Sequence, residues 1–225
     1  MGYIIQIETA TTSCSAALTN NGVIVGVKEV TARNIHAEVL TLFIDELIAA
    51  AGITYTNVDA VAVSCGPGSY TGLRIGVSTA KGLCFALDKP LIAVETLSSM
   101  AAGVAADVAG DVLLCPMIDA RRMEVYTAVY NKAGDVIKPT AAEIITPESF
   151  ADLLADNKVL FFGDGAEKCR EVLGTNANAS FLDGFSNSAA HLTKIAEQKL
   201  LARDFEDVAY FEPYYLKDFI VLKKQ

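Results

Sequence analysis

The sequence predicts an α/β chain built as two similar lobes, each an open mixed sheet with helices on it. Three observations carry this. Apolar runs of strand length alternate with runs of helical period along the whole chain. The order three strands, helix, strand, helix occurs twice, before and after a helix-like link of small residues from Thr96 to Val104. The 225 residues are 52% hydrophobic and 20% charged, which supports a sizeable core. The expected division is a first lobe over 1–98, joined by the C-terminal segment 208–225, and a second lobe over 99–207.

Tyr3 to Glu8 and Cys14 to Thr19 read as strands rich in apolar residues. Asn20-Asn21-Gly22 turns the second into a third strand from Val23, because Asn and Gly tolerate positive φ. His36 to Ala51 reads as a helix ended by Gly52. Its apolar stripe of Val39, Leu40, Phe43, Ile44, Leu47, Ile48 and Ala51 is wider than one packing surface needs. Val58 to Cys65 is a continuous apolar run, as a buried parallel strand requires. Gly66-Pro67-Gly68-Ser69 breaks it. A helix from Tyr70 to Leu87 and a strand from Leu91 to Val94 follow.

The pattern then repeats. Val112 to Ile118, Val125 to Tyr130 and Val136 to Ile145 read as strands, with Ala133-Gly134-Asp135 turning the second into the third. Pro147 is expected to open a helix. Lys158 to Phe162 reads as a strand ended by Gly163-Asp164-Gly165. Helical stretches follow over Ala166 to Leu173 and Ser188 to Arg203, and the aromatic-rich segment Phe211 to Leu222 is expected to dock back on the body.

Composition narrows the function classes. Lys and Arg number 18 against 27 Asp and Glu, a net charge of −9. A free-standing nucleic-acid binder would show a basic stripe, and none is visible. Mean hydropathy is +0.36, yet no run reaches the roughly 18 apolar residues of a membrane span; the richest, Leu97 to Ile118, is cut by Asp107 and Asp111. The first residues match neither a signal peptide nor an acylation motif. Five cysteines without a CxxC spacing read as core thiols of a reducing, cytoplasmic setting.

Five segments could carry chemistry. Gly66-Pro67-Gly68-Ser69-Tyr70-Thr71-Gly72-Leu73-Arg74 joins a buried strand to a helix. It reads either as an anion cradle, without the Gly-Lys-Ser/Thr ending of a P-loop, or as a tight packing turn. Glu8-Thr9-Ala10-Thr11 ends the first strand with a carboxylate and hydroxyls, a phosphate-site composition without a glycine. The two histidines, His36 and His191, offer no i,i+4 metal pair, since Leu40 follows His36 at that spacing. On the helix Tyr70 to Leu87, Leu73, Val77, Ala80, Cys84 and Leu87 form the core face. Roughly opposite lie Ile75, Ser78, Thr79, Gly82 and Ala86, small residues that would let another helix approach closely. The fifth segment, Asp119-Ala120-Arg121-Arg122-Met123-Glu124-Val125-Tyr126, is a charged turn after a buried strand. It would bind an anion or an acidic partner, or be a salt-bridged hairpin.

The run Gly66 to Val77, followed by Ala80-Lys81-Gly82-Leu83, resembles the signature of the bacterial TsaB (YeaZ) family. Ile118 to Tyr126 is similar to that family's second signature, and Glu212-Pro213-Tyr214-Tyr215-Leu216 to its C-terminal one. The resemblance implies an actin/Hsp70-like (ASKHA) two-lobe fold and a role in making threonylcarbamoyladenosine in tRNA anticodon loops. It implies a non-catalytic subunit with no cofactor of its own, paired in a heterodimer with the catalytic paralogue TsaD and joined by the ATPase TsaE, which uses ATP. tRNA would be met through that complex, and the free chain would tend to homodimerise. Partner-binding residues would be His36, Val39, Phe43, Ile75, Ser78, Thr79, Gly82 and Ala86. Vestigial nucleotide-binding residues would be Glu8, Thr9, Thr11, Gly163 and Gly165, because Glu8-Thr9-Ala10-Thr11 departs from the Asp-x-Gly-Thr/Ser of nucleotide-binding relatives. The TsaD metal motif is also absent, so a metallopeptidase is not expected. The alternative is a stand-alone ATP-binding enzyme of the same fold.

Overall fold

The duplication extends one strand further than the sequence indicates. The structure is a computed structural model that describes residues 2–32 and 34–217. The first half runs β1 (Tyr3–Glu8), β2 (Ser13–Asn20), β3 (Val23–Thr31), α1 (His36–Ala50), β4 (Val58–Gly66), α2 (Tyr70–Leu87), β5 (Leu91–Glu95) and α3 (Thr96–Val104). The second runs β6 (Leu113–Asp119), β7 (Glu124–Tyr130), β8 (Val136–Ile144), α4 (Ala151–Asp156), β9 (Val159–Phe162), α5 (Arg170–Leu173), β10 (Ala179–Leu182) and α6 (Thr193–Ala202). The sheets have the orders β3-β2-β1-β4-β5 and β8-β7-β6-β9-β10. In each, the first three strands form an antiparallel meander, and the last two add in parallel.

Two expectations are corrected. β10 was not foreseen. It is a four-residue edge strand in which alternate residues are exposed, and Phe181 anchors it 5.4 Å from Phe161. The helix after β8 begins at Ala151 rather than Pro147, because Phe150 sits in the left-handed region (φ +61°) and is buried. A left-handed residue interrupts the helical hydrogen-bond path.

Each sheet is covered on both faces. In the first, Ile5, Ile7, Val61 and Val63 face Leu40, Ile44 and Leu47 of α1 and Val77, Ala80 and Cys84 of α2. In the second, Cys115, Met117, Val129 and Phe161 face Leu154 of α4 and Leu173 of α5. The remaining two faces are closed by exchange. α3 follows the first sheet but places Leu97, Met100 and Val104 against Leu114, Ile118, Ala128 and Phe162 of the second. Residues 189–202 follow the second sheet but place Leu192 and Ala196 against Ile4, Ala60, Ala62, Ile92 and Val94 of the first. The division by sequence counts residues 189–202 with the second lobe; their packing partners are in the first.

Residues 208–215 run over the first lobe, and Lys217 reaches Glu124 of β7. Lys81 Nζ donates to the carbonyls of Ala209 (3.2 Å) and Phe211 (2.8 Å), and Tyr214 N donates to Cys65 O (2.7 Å). Tyr215 packs on Tyr70 with ring centroids 4.9 Å apart. The rest of the segment read as docking, 218–222, lies outside the described residues.

Candidate functional site

The glycines of the loop after β4 are used for close packing within the chain. A Cβ on Gly68 would come within 3.0 Å of Ala10, and one on Gly72 or Gly76 would collide with Thr9 O or Thr9 Oγ1. Gly66, at φ +122°, faces Tyr214 O in the same way. Ser69 N donates to Ala10 O (2.7 Å), and Ser69 Oγ caps α2 by accepting from Gly72 N (3.3 Å). The loop lies against the β1–β2 turn, with backbone where a phosphate cradle would be open. Of its two readings, the packing turn fits.

The carboxylate at the end of β1 is buried, and among the described residues no lysine or arginine pairs with it. Glu8 Oε1 accepts from Ala10 N at 2.6 Å. Among the described residues, Glu8 Oε2, Thr9 Oγ1 and Asn187 Nδ2 are buried with no hydrogen-bond partner. Burial pushes the Glu8 carboxyl up to about 7, against the opposing pull of the Ala10 amide and of nearby Ser64 and Asn187. Asn187 thus lies close enough to favour the charged form, although its Nδ2 lacks the geometry of a formed bond. Thr11 Oγ1 accepts from Ser13 N at 3.3 Å within the same turn. The other candidate nucleotide residues sit on a different turn. A Cβ on Gly163 would meet Met117 O, and one on Gly165 would lie 2.9 Å from Ile118 C and 3.0 Å from Asp119 N. Each glycine is closed off by the backbone of its own lobe.

At the end of β6 the arrangement is open. Asp119 Oδ1 accepts from Arg121 N (2.9 Å) and pairs with Lys168, while Asp119 N donates to Asp164 Oδ1 (3.0 Å). Burial raises the Asp164 carboxyl. Lys168 Nζ also donates to Glu124 O (2.7 Å), and Lys217 pairs with Glu124. Arg121 (φ +73°) and Arg122 (φ +49°) both adopt left-handed backbone, which costs a non-glycine residue about 1–2 kcal/mol. Both are exposed, and among the described residues neither guanidinium takes part in an ion pair.

The two helices of the candidate partner seam lie side by side on the first sheet. Ser78, Gly82 and Ala86 are exposed along α2, and Ile75 and Thr79 are half-buried. Val39 and Phe43 of α1 are half-buried at the edge of the core. A Cβ on Gly82 would meet nothing within 4 Å. Glycine inside a helix costs about 1 kcal/mol relative to alanine, and among the described residues no contact offsets that at Gly82. Two residues were missed: Phe85, 86% exposed, and Leu42, 56% exposed. Both could have been found on the helical wheel, since Phe85 follows Gly82 at i+3 and Leu42 follows Val39 at i+3. At the other end of α2, a shallow cleft of about 350 Å³ is lined by Tyr70, Thr71, Arg74, Ile75 and Ser78.

His36 does not belong to the seam. It is buried, and its Nε2 lies 3.0 Å from Thr11 O and 3.3 Å from Ser13 O, so it donates to that turn and ties the start of α1 to it. His191 stacks on Phe185 (5.3 Å) against Gly103, and burial lowers its pKa. All five cysteines are buried free thiols, and burial pushes Cys14 up to about 11 and Cys65, Cys84 and Cys115 up to about 12. Among the described residues no helix is long and apolar enough to cross a membrane.

Two copies of a three-strand meander extended by two parallel strands, with helices exchanged between them, define the actin/Hsp70-like (ASKHA) class. Within it, a family model described as TsaD, tRNA N6-adenosine threonylcarbamoyltransferase, matches residues 18–218. The tRNA threonylcarbamoyladenosine biosynthesis protein TsaB of Escherichia coli is 31% identical over 98% of this chain and 97% of its own length. Its Haemophilus influenzae counterpart is 29% identical over 98% and 96%. A solved structure of YeaZ from Pseudomonas aeruginosa superimposes with a TM-score of 0.80 at 27% identity, covering 96% of this chain and 100% of that one. The chain belongs to the TsaB (YeaZ) family.

Proposed function

We propose that this chain acts in tRNA threonylcarbamoyladenosine biosynthesis as a non-catalytic, partner-binding subunit. It docks through α1 and α2 on a TsaD-like catalytic subunit in the cytoplasm, and a TsaE-like ATPase that uses ATP joins the pair. The names of the E. coli and H. influenzae relatives support the process. The observation that carries the docking is Gly82, a helix-interior glycine with open space where a side chain would stand, between the exposed Ser78, Phe85 and Ala86. Such a row lets a second helix pair approach at backbone distance. The same face, left bare, would favour a homodimer of the lone chain. The alternative, a stand-alone ATP-binding enzyme, would have to use loops whose glycines are filled by backbone.

The test is reconstitution. tRNA, ATP, threonine, bicarbonate, the adenylate-forming enzyme and the TsaD-like and TsaE-like proteins are combined with and without this chain, and modified adenosine is quantified. Modification should require the chain, and Gly82→Arg should abolish the heterodimer on gel filtration while leaving the melting curve of the free protein intact. Modification without the chain, or undiminished heterodimer with Gly82→Arg, overturns the reading.

A further inference from the structure

We propose that the Arg121–Arg122 turn between β6 and β7 is a phosphate-contacting surface for RNA, so that this chain itself touches the tRNA backbone. The proposal rests on the tRNA reading above. Four observations support it. First, both guanidiniums are exposed and outside every ion pair among the described residues. In a chain with 27 acidic and 18 basic residues, two adjacent arginines left over from pairing are unusual company.

Second, the neighbouring carboxylates are already engaged. Asp119 holds Arg121 N and Lys168, Asp164 holds Asp119 N, and Glu124 holds Lys217. They brace the turn, and Lys168 and Lys217 offset two of the three, so with both arginines counted the turn keeps a net positive charge, carried by the exposed arginines. Third, both arginines occupy left-handed backbone, where Gly or Asn would fit with less strain. A local choice that opposes backbone preference points to a use for the side chain.

Fourth, the arginines lie in the turn that joins the antiparallel pair β6 and β7, where both side chains are exposed and within reach of a polyanionic strand. Guanidinium forks match phosphate oxygens bidentately. Phosphate contacts position a nucleic acid without reading its bases, and two such contacts require no basic stripe.

The experiment uses the assembled complex of this chain with its TsaD-like and TsaE-like partners and labelled unmodified tRNA, titrated across a salt series. Replacing both residues by Gln should weaken binding about ten-fold. It should also flatten the slope of log K against log salt by about one to two, as expected for two lost phosphate contacts. Arg121→Lys with Arg122→Lys should keep most of that slope. Arg121→Gly with Arg122→Asn, which suits the backbone while removing charge, should reproduce the loss with no fall in melting temperature, separating binding from folding. Unchanged affinity and slope in the Gln variant overturn the proposal. So does failure of the Gln variant to assemble with its protein partners, which would assign the turn to an acidic segment of a protein. Failure of the underlying tRNA reading shows separately, as modification that proceeds without the wild-type chain.

Discussion

At the end of β1 the chain turns inward, and at the end of β6 it turns outward. These are matching positions in the duplicated unit, since β1 and β6 each lie between the second and fourth strands of their sheets. Glu8 is fully buried beside the glycine loop, with one oxygen unpartnered. Asp119 is half-exposed and shares its oxygen with Lys168 and the Arg121 amide. One repeat has used its strand-end turn as a joint between β1, α2 and Asn187; the other has kept it at the surface. Duplication fixes where a turn lies, while its neighbours decide whether it packs or stays accessible.

The comparison can be broken most severely at the joint. Gly72→Ala drives a Cβ into Thr9 O, a backbone atom, and should destabilise the free chain by about 3 kcal/mol, the upper end for overpacking. Gly82→Ala on the same helix should instead stabilise it by about 0.5–1 kcal/mol. Urea denaturation of the two variants measures both, and equal effects would remove the distinction between a packed and an open glycine.

The second test is pH. The native Glu8 carboxyl stands near 7 against an ordinary 4.5, so between those values the folded chain holds a proton that the unfolded chain has lost. Stability from this group is therefore present at low pH and falls as pH rises through the window. At about 1.4 kcal/mol per pH unit, the wild type should lose about 3 kcal/mol relative to Glu8→Gln across it. Parallel stability curves for the two proteins would show that Glu8 is not perturbed.

The outward turn should respond weakly. Arg122→Gly relieves left-handed strain and should raise stability by about 0.5–1 kcal/mol. Lys168→Ala removes a partly exposed ion pair and should cost about 1 kcal/mol or less. Thermal melts rank the two, and a loss at Lys168 as large as that at Gly72 would erase the contrast between the turns.

Much of this was legible in the sequence where patterns are local. The continuous run Val58–Cys65 announces a strand covered on both sides, and the exposed row on α2 follows from its period. β10 escaped because Ala179–Leu182 is a short edge strand with one strongly anchoring aromatic. The start of α4 was misplaced because the left-handed Phe150 is imposed by burial rather than by residue type. Within the site, His36 misled because its partners, Thr11 and Ser13, lie more than twenty positions away, at separations of 25 and 23. The glycines of 66–76 were ambiguous for the same reason: a residue that permits close approach does not say what approaches. The partners, Tyr214 for Gly66 and the Thr9–Ala10 turn for Gly68, Gly72 and Gly76, are visible only in three dimensions.

The exchange of α3 and α6 between the sheets makes the lobes hostages of one another. A first lobe expressed alone would bare Ile4, Ala60, Ala62, Ile92 and Val94, and a second lobe alone would bare Leu114, Ile118, Ala128 and Phe162. Neither half is an independent folding unit by this accounting. Yet a nick in the exposed loop around Asp107–Asp111, between α3 and β6, cuts neither crossover. Two fragments made there should find each other and fold together, as a split protein whose halves carry each other's missing lid.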